Sequence, residues 1–284
     1  MKSVTRLGVF ALVVTGAFGL AATVGAAIDP IDVGPTEDHQ SMSVATEETS
    51  AVSGMSIFAD GFQLITNVAS IDANATSTFT FTIERFDGST VTDFDVLNER
   101  QLHLIVLSRN LVDYLHLHPS IGADGTWQVD LPPLSPNSYR LYADFQPSGS
   151  GRVTLATDLE VHGLVEYVAV PNAVTSFEID GYTVSMTGDP VIGDSALTFT
   201  VGFNGQLVTT DPYLGAAGHL VIIRRGDLGY LHAHSIPQSG SSIHFLADFP
   251  TPGTYRLFLD FSYGGKIRTA SFTVEISAHD MEGG

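Results

Sequence analysis

Two short stretches of the sequence each carry a pair of histidines separated by one residue. DYLHLHP contains His116 and His118, and GYLHAHS contains His232 and His234. A further histidine stands 13 residues before each pair, so the spacing H-x12-H-x-H occurs twice. Neutral imidazole is a common ligand of copper and zinc, and three imidazoles can hold one divalent ion. The spacing therefore predicts a three-histidine metal site in each copy of the pattern.

Strand geometry gives a reason for this spacing. Side chains alternate along a strand, so His116 and His118 project from one face. A hairpin with its two-residue loop at 110–111 sets His103 opposite His118, and a loop at 226–227 gives the equivalent arrangement in the second copy. Each site is then local to one hairpin, and the two sites are expected to act independently. The predicted ligands are His103, His116, His118, His219, His232 and His234.

One aspartate follows each histidine pair at the same distance. Asp144 stands 26 residues after His118, and Asp260 stands 26 residues after His234. In an immunoglobulin-like strand order Asp144 neighbours the strand of His103, where its carboxylate would be a fourth ligand or would orient a ligand. A surface ion pair of Asp144 with Arg140 or Arg109 is the alternative.

The histidines need not bind a metal at all. Imidazoles at this distance repel one another when they are protonated, so a structural or pH-responsive cluster is the alternative interpretation of the same spacing.

The histidine pattern belongs to a tandem duplication. Residues 103–145 align with residues 219–261 without a gap, and 13 of the 43 aligned pairs are identical. The identical pairs concentrate around the histidines and around YRLYADF and its counterpart YRLFLDF. Self-similarity at a fixed interval indicates repeated structural units. The chain is therefore expected to contain two copies of one domain.

The elements that position the histidines are short strands. Beyond residue 54 the sequence alternates apolar and polar residues in brief runs that turn residues separate, with no helical periodicity. Seven such runs in each half predict an all-β chain with two tandem immunoglobulin-like antiparallel β-sandwiches, at 54–166 and 167–278. A turn precedes both Tyr139 and Tyr255, as in the tyrosine corner of such sandwiches.

The first 53 residues have a different character. Residues 1–27 combine Lys2 and Arg6 with a long apolar stretch and a small-residue end, which predicts a cleaved secretory signal peptide. The apolar stretch, 7–27, is also long enough to span a bilayer as an uncleaved anchor. Residues 28–53 are acidic and without periodicity, and they are predicted to form a disordered linker. Either outcome at the N-terminus places the domains outside the cytoplasm.

Composition limits the partners. The formal net charge of −19 argues against nucleic acid and anionic membrane surfaces and favours cations. The absence of cysteine excludes disulfides, thiolate metal ligands and cysteine nucleophiles. The expected partners are a metal ion and a second extracytoplasmic protein, and contact with the membrane is expected only through residues 7–27 if they remain uncleaved.

The pattern HLIVLSRNLVDYLHLHP, followed by DGTW and YRLYADF, resembles uncharacterised secreted proteins of actinobacterial type with tandem immunoglobulin-like domains. Some of these proteins are associated with copper handling, but the resemblance, which covers most of residues 54–278, implies no established activity. The chain is also loosely similar to the periplasmic copper-resistance C proteins. It lacks their methionine-rich loop, which disfavours Cu(I) and leaves copper(II) or zinc(II) as the expected ion.

Two functions remain open from the sequence. The first is an extracytoplasmic copper- or zinc-binding protein with one three-histidine site per domain, for sequestration or delivery. The second is a cell-surface adhesion or scaffolding module whose histidines line an interdomain or partner interface. Apolar residues beside the histidines favour the second function, namely Ile105, Leu107, Val221 and Ile223. An enzyme is not expected, because the sequence contains no G-x-S-x-G, H-E-x-x-H or phosphate-loop motif.

Overall fold

The structure is a computed structural model that describes residues 52–278. In this range the regular elements are nineteen β-strands. Among the same residues there is no helix long and apolar enough to cross a bilayer. The predicted signal segment 1–27 and the predicted linker up to residue 51 lie outside the described residues.

The first repeat is a two-sheet sandwich. Its strands are β1 (Phe58–Ala59), β2 (Phe62–Thr66), β3 (Ser70–Asp72), β4 (Ser77–Arg85), β5 (Leu102–Ser108), β6 (Tyr114–Leu117), β7 (Ser120–Ile121), β8 (Trp127–Leu131), β9 (Asn137–Phe145) and β10 (Val153–His162). One sheet has the order β1-β2-β4-β8-β7, and the other has the order β3-β10-β9-β5-β6. The pairing is antiparallel except between β3 and β10, which run parallel. The seven strands predicted for this half are all present.

The second repeat has the same plan. Its strands are β11 (Ser176–Ile179), β12 (Tyr182–Thr187), β13 (Gly193–Phe203), β14 (Gln206–Val208), β15 (His219–Arg224), β16 (Tyr230–Ser239), β17 (Ser242–Phe249), β18 (Gly253–Tyr263) and β19 (Lys266–Ile276). The sheet of β15, β18 and β19 and the sheet of β11, β12, β13, β14 and β17 are joined into one nine-stranded path, because β16 pairs first with β15 and then with β17. Each repeat is an immunoglobulin-like β-sandwich with its own apolar core, as predicted.

The histidine pairs lie where a strand crosses from one sheet to the other. In the second repeat the crossing strand is continuous, with His232 paired to β15 and His234 paired to β17. In the first repeat the crossing is split into β6 and β7 at Pro119, whose counterpart is Ser235. Proline has no N–H to donate to a β-ladder, so it interrupts the strand.

Both predicted tyrosine corners are present. The hydroxyl of Tyr139 donates to the carbonyl oxygen of Ser135 at 3.0 Å, and that of Tyr255 donates to the carbonyl oxygen of Thr251 at 2.8 Å. Each phenol is buried and each bond spans four residues, so the corner fixes the turn before the pattern YRL that both repeats share.

Removal of one corner hydroxyl should destabilise the first repeat. We expect Tyr139→Phe to lower the free energy of unfolding by about 0.5–1.5 kcal/mol, because the hydrogen bond from the buried tyrosine to the carbonyl oxygen of Ser135 is lost. Urea unfolding followed by the fluorescence of the single tryptophan, Trp127, measures this change. Tyr167→Phe is the matched control, since Tyr167 is 91% exposed and should leave stability unchanged. Equal stability of both variants would contradict the structural role of the corner.

Candidate functional site

The two repeats pack against each other through the sheets that carry the histidines. A third apolar cluster, separate from the two cores, joins them and contains Ile105, Leu107, Leu111, Tyr142, Ala156, Val221, Ile223, Leu228, Tyr230 and Phe258. The four apolar residues that sequence analysis placed beside the histidines are all in this cluster and fully buried. They therefore lie in an interface between the two repeats, which is called the junction below.

The contacts across the junction are reciprocal. Tyr114 of the first repeat stacks on Phe258 of the second, with ring centroids 4.3 Å apart. The equivalent residue of the second repeat, Tyr230, packs on Tyr142, which is the counterpart of Phe258, at 5.5 Å. Reciprocal contact of equivalent residues is the pattern of a two-fold related interface. The duplication has thus placed two copies of one face against each other.

Two histidine–aspartate contacts follow the same symmetry. Nδ1 of His116 lies 2.8 Å from Oδ2 of Asp260, and Nε2 of His232 lies 3.3 Å from Oδ1 of Asp144. Each contact joins one repeat to the other. Histidines and aspartates that are identical in the two copies therefore meet their partners across the junction, and not within their own repeat.

The predicted hairpin registers are confirmed. Leu104 pairs with Leu117, which sets His103 opposite His118, and Val221 pairs with His232. The predicted strand neighbours are also confirmed, because His103 pairs with Asp144, and His219 pairs with Asp260.

The structure brings the three histidines of the first repeat together. Nδ1 of His103 lies 3.0 Å from Nε2 of His116. The ring of His118 lies 5.1 Å from that of His103 and 4.9 Å from that of His116, measured between centroids. One nitrogen from each of the three lies within 4.8 Å of the others, close enough to hold one metal ion. His103 is fully buried in this group.

The three histidines of the second repeat do not form an equivalent group within residues 52–278. His219 stacks on His103 of the first repeat at 5.3 Å, whereas His232 turns to Asp144 and His234 is exposed. The cause is the junction, which places His219 beside the first repeat, together with the strand crossing, which puts His234 in the other sheet. Within residues 52–278 the structure therefore gives no hairpin-local group in the second repeat, and the independence of two sites stays a prediction.

A second candidate group instead combines both repeats. Ring nitrogens of His116 and His219 and a carboxylate oxygen of Asp260 lie within 4.8 Å of one another. His116 thus belongs to both groups, and its ring centroid is 4.8 Å from that of His219.

Asp144 is a fully buried carboxylate in an ion pair. It accepts hydrogen bonds from Arg152, Thr154 and His232. Burial alone would raise the pKa of Asp144, but the charge of His232 and the hydrogen bonds from Arg152 outweigh burial and hold the pKa well below its usual range. The predicted pairing with Arg140 or Arg109 is wrong, because both of these arginines contact Asp158.

Asp260 is equally buried but has no arginine among its hydrogen-bond partners in the described residues. It accepts hydrogen bonds from Thr269, from Tyr114 at 3.1 Å and from His116. Burial raises its pKa to about 6. Asp260 therefore orients the His116 ring from the opposite repeat.

The hydrogen bonds assign the ring tautomers. Nε2 of His103 lies 2.9 Å from the carbonyl oxygen of Leu97, which can only accept, so Nε2 carries the hydrogen. With Asp260 ionised, Nδ1 of His116 likewise donates to its carboxylate. In the neutral rings this leaves lone pairs on Nδ1 of His103 and Nε2 of His116. Among residues 52–278, Nε2 of His118 and Nδ1 of His219 are also buried without a partner.

Burial keeps these rings neutral. Burial, together with the charges of nearby histidines, lowers the pKa of His116 and of His118 to about 3. Burial also places the pKa of His219 well below the ordinary value. Neutral imidazole is the form that ligates metal ions, so the group is in its ligating form near pH 7.

A small pocket lies beside His219. Its volume is about 150 Å³, and its lining includes Arg152, His219, His232 and His234. Sequence analysis named these three histidines but missed Arg152 and the tyrosines Tyr114 and Tyr230. The two tyrosines are identical at equivalent positions of the two repeats, and this identity could have marked them as site residues. Arg152 has no identical counterpart in the second repeat.

Both repeats match one family model, described as "Domain of unknown function (DUF8832)", over residues 57–163 and 177–278. No curated protein matches the chain. Domains 4–9 of the surface layer protein SbsC are similar at 13% identity and a TM-score of 0.23, over 76% of this chain and 31% of that chain. A chimeric titin Z1Z2 is similar at 16% identity and a TM-score of 0.20, over 76% of this chain and 97% of that chain. The Escherichia coli adhesin FdeC is similar at 12% identity and a TM-score of 0.24, over 77% of this chain and 64% of that chain. Likeness at these TM-scores assigns neither a function nor a partner.

Proposed function

The chain belongs to the DUF8832 family through both of its repeats, and from the junction between them we propose that it serves as a rigid two-repeat scaffolding or adhesion module. The observation that carries this proposal is the reciprocal packing of Tyr114 on Phe258 and of Tyr230 on Tyr142. The signal-like sequence of residues 1–27 supports a place outside the cytoplasm, at the cell surface or secreted.

Polar contacts at the hairpin tips support a fixed orientation of the repeats. The hydroxyl of Tyr142 donates to the carbonyl oxygen of Leu228 at 2.7 Å, and Nε of Arg256 donates to that of Leu111 at 3.1 Å. Both leucines have positive φ, 62° at Leu111 and 60° at Leu228, and both are buried in the junction. Burial of the two side chains offsets the cost of this uncommon backbone conformation for a residue other than glycine.

Rigidity is directly measurable because the chain contains no cysteine. We expect spin labels on Ser89→Cys and Thr209→Cys, one exposed site in each repeat, to give one narrow distance distribution by pulsed electron paramagnetic resonance. Phe258→Asp places an unpaired charge in the buried junction and should broaden that distribution.

Leu207→Asp is the matched control, since Leu207 is 63% exposed and lies outside the junction. A broad distribution in the otherwise unchanged protein would overturn the proposal of a rigid module.

A second candidate function is binding of copper(II) or zinc(II) for sequestration or delivery. The observation that favours it is the group formed by His103, His116 and His118. Elemental analysis of the protein purified without a polyhistidine tag tests this function. Retention of a stoichiometric ion supports it, and failure to bind either ion after stripping and reloading contradicts it.

We also propose a role without catalysis, with a metal ion and a second extracytoplasmic protein as the partners and with no nucleic acid. The absence of catalytic motifs and the net charge of −19 support these proposals. Contact with a membrane is proposed only through residues 7–27, if this segment remains uncleaved.

A further inference from the structure

Two lone pairs face each other inside the junction. Nδ1 of His103 and Nε2 of His116 are 3.0 Å apart, and the hydrogens of both neutral rings are already directed to Leu97 and Asp260. No hydrogen remains for this contact while Asp260 is ionised. The contact therefore needs either one additional proton or a cation between the two nitrogens.

The spacing fits two ligands of one ion. With metal–nitrogen bonds of about 2.0–2.1 Å, two ligands are about 2.9 Å apart at a right angle and about 3.3 Å apart in a tetrahedron. The observed separation of 3.0 Å lies between these two values. Because copper(II) prefers tetragonal and zinc(II) prefers tetrahedral coordination, both ions match the spacing.

The hydrogen bonds behind the two rings fit a metal site as well. A histidine ligand usually donates its other N–H to a carboxylate or to a backbone carbonyl, which fixes the ring orientation. Asp260 supplies the carboxylate for His116, and Leu97 supplies the carbonyl for His103. Because Asp260 belongs to the second repeat, the orientation of a first-repeat ligand depends on the junction.

We propose that one divalent cation binds across the junction, held by His103, His116 and His118 of the first repeat and by His219 of the second. This inference rests on the metal-binding candidate above and adds that the site is shared between the repeats. His118 shares one candidate group with His103 and His116, and His219 shares the other with His116, so the proposed site joins the two groups at His116. Nε2 of His118 and Nδ1 of His219 are buried without a partner in residues 52–278, and in the proposed site they are the third and fourth ligands. The pocket lined by His219 and His234 gives an ion access to His219.

A shared site binds one ion per chain, whereas one site per repeat would bind two. We expect calorimetric titration of the stripped, tag-free full chain with zinc(II) or copper(II) at pH 7.5 to give one ion per chain. His118→Ala should weaken binding at least 100-fold, and His219→Ala at least 10-fold. His234→Ala is the matched control, because His234 is exposed and is absent from both ligand groups, and its affinity should stay within two-fold.

Each result separates this inference from the broader candidate. Absence of binding overturns both. Loss of binding in His118→Ala with unchanged affinity in His219→Ala would support a metal-binding protein. The same result would overturn the shared site. Binding of two ions per chain in the wild type and of one in His234→Ala would overturn the shared site and support one site per repeat.

A variant of a buried residue such as His219 can fail to fold, so a measurement on the unaltered protein is needed too. X-ray absorption of the zinc-loaded wild-type chain counts the imidazole ligands. Four imidazoles agree with the shared site, and three imidazoles with an oxygen ligand overturn it.

Discussion

The metal-free protein should lose stability steeply as the pH falls from 6.5 to 5, because the junction buries imidazoles that must remain neutral. Burial lowers the pKa of His116 to about 3 and places that of His219 well below its ordinary value of 6.5. Unfolding returns both rings to water, where they take up protons below pH 6.5. The unfolded state therefore binds more protons in this range, and stability falls with falling pH.

One group in the junction acts in the opposite direction. Asp260 has a pKa of about 6 in the folded state, above its ordinary value of 3.8. As the pH falls from 6 to 3.8, the folded state therefore binds this proton before the unfolded state does, which opposes the loss of stability. Each fully buried histidine contributes up to about 1.4 kcal/mol per pH unit, and His118, which is partly exposed, contributes less. The net expected loss between pH 6.5 and 5 is about 2–4 kcal/mol.

Urea unfolding at half-unit pH intervals, with a chelator present, measures this loss. His219→Leu should reduce the pH dependence, and the exposed His162→Leu should leave it unchanged. The other titratable or charged groups that face the cluster include His103, His118, His232, Tyr114, Asp144, Arg100, Arg152 and Asp260. A free energy of unfolding that is constant between pH 6.5 and 5 would contradict burial of neutral imidazoles.

Local patterns explain why much of the fold could be predicted from the sequence. Alternation of period two located the strands, and turn residues set the hairpin register that places His103 opposite His118. The tyrosine corners are equally local, since each hydrogen bond spans four residues. No local pattern indicates the positive φ of Leu111 at the hairpin tip, where burial of its side chain in the junction offsets the cost of that conformation.

The arrangement of the site depends on contacts far apart in the chain. Alternation identified Ile105 and Val221 as outward-facing residues, but no local pattern specifies that each meets the other repeat. The contact between His116 and Asp260 joins residues 144 positions apart. The sequence therefore predicts three histidines per hairpin. Which of these histidines contact one another is determined by the packing of the two repeats through equivalent faces.

The second large effect is expected at Asp144. Substitution of Arg152 by isoleucine should lower the free energy of unfolding by about 3 kcal/mol, because it leaves a fully buried carboxylate without its arginine partner. This is the lower end of the range for a broken buried pair, since the Arg152 side chain is 30% exposed. Equilibrium unfolding in urea at pH 7 measures the loss.

The second repeat contains the matching natural comparison. Thr154 pairs with Asp144 and Thr269 pairs with Asp260, so the position of Arg152 corresponds to that of Ile267. The charge of His232 together with Arg152 holds the pKa of Asp144 low, whereas Asp260, which faces isoleucine at the equivalent position, has a pKa that burial raises. The junction is symmetric in shape but asymmetric in charge.

A double-mutant cycle separates the charge from the packing. Asp144→Asn removes the charge, so Arg152→Ile should cost much less in that background than in the wild type. In the single Arg152→Ile variant the deficit should also shrink at low pH, because the pKa of Asp144 then rises and its protonated form carries no charge. The reciprocal variant Ile267→Arg should lower the pKa of Asp260 below 6, measurable by carboxyl-selective NMR. Equal costs of Arg152→Ile in both backgrounds would mean that Arg152 acts through packing alone, and the charge asymmetry would then need another source.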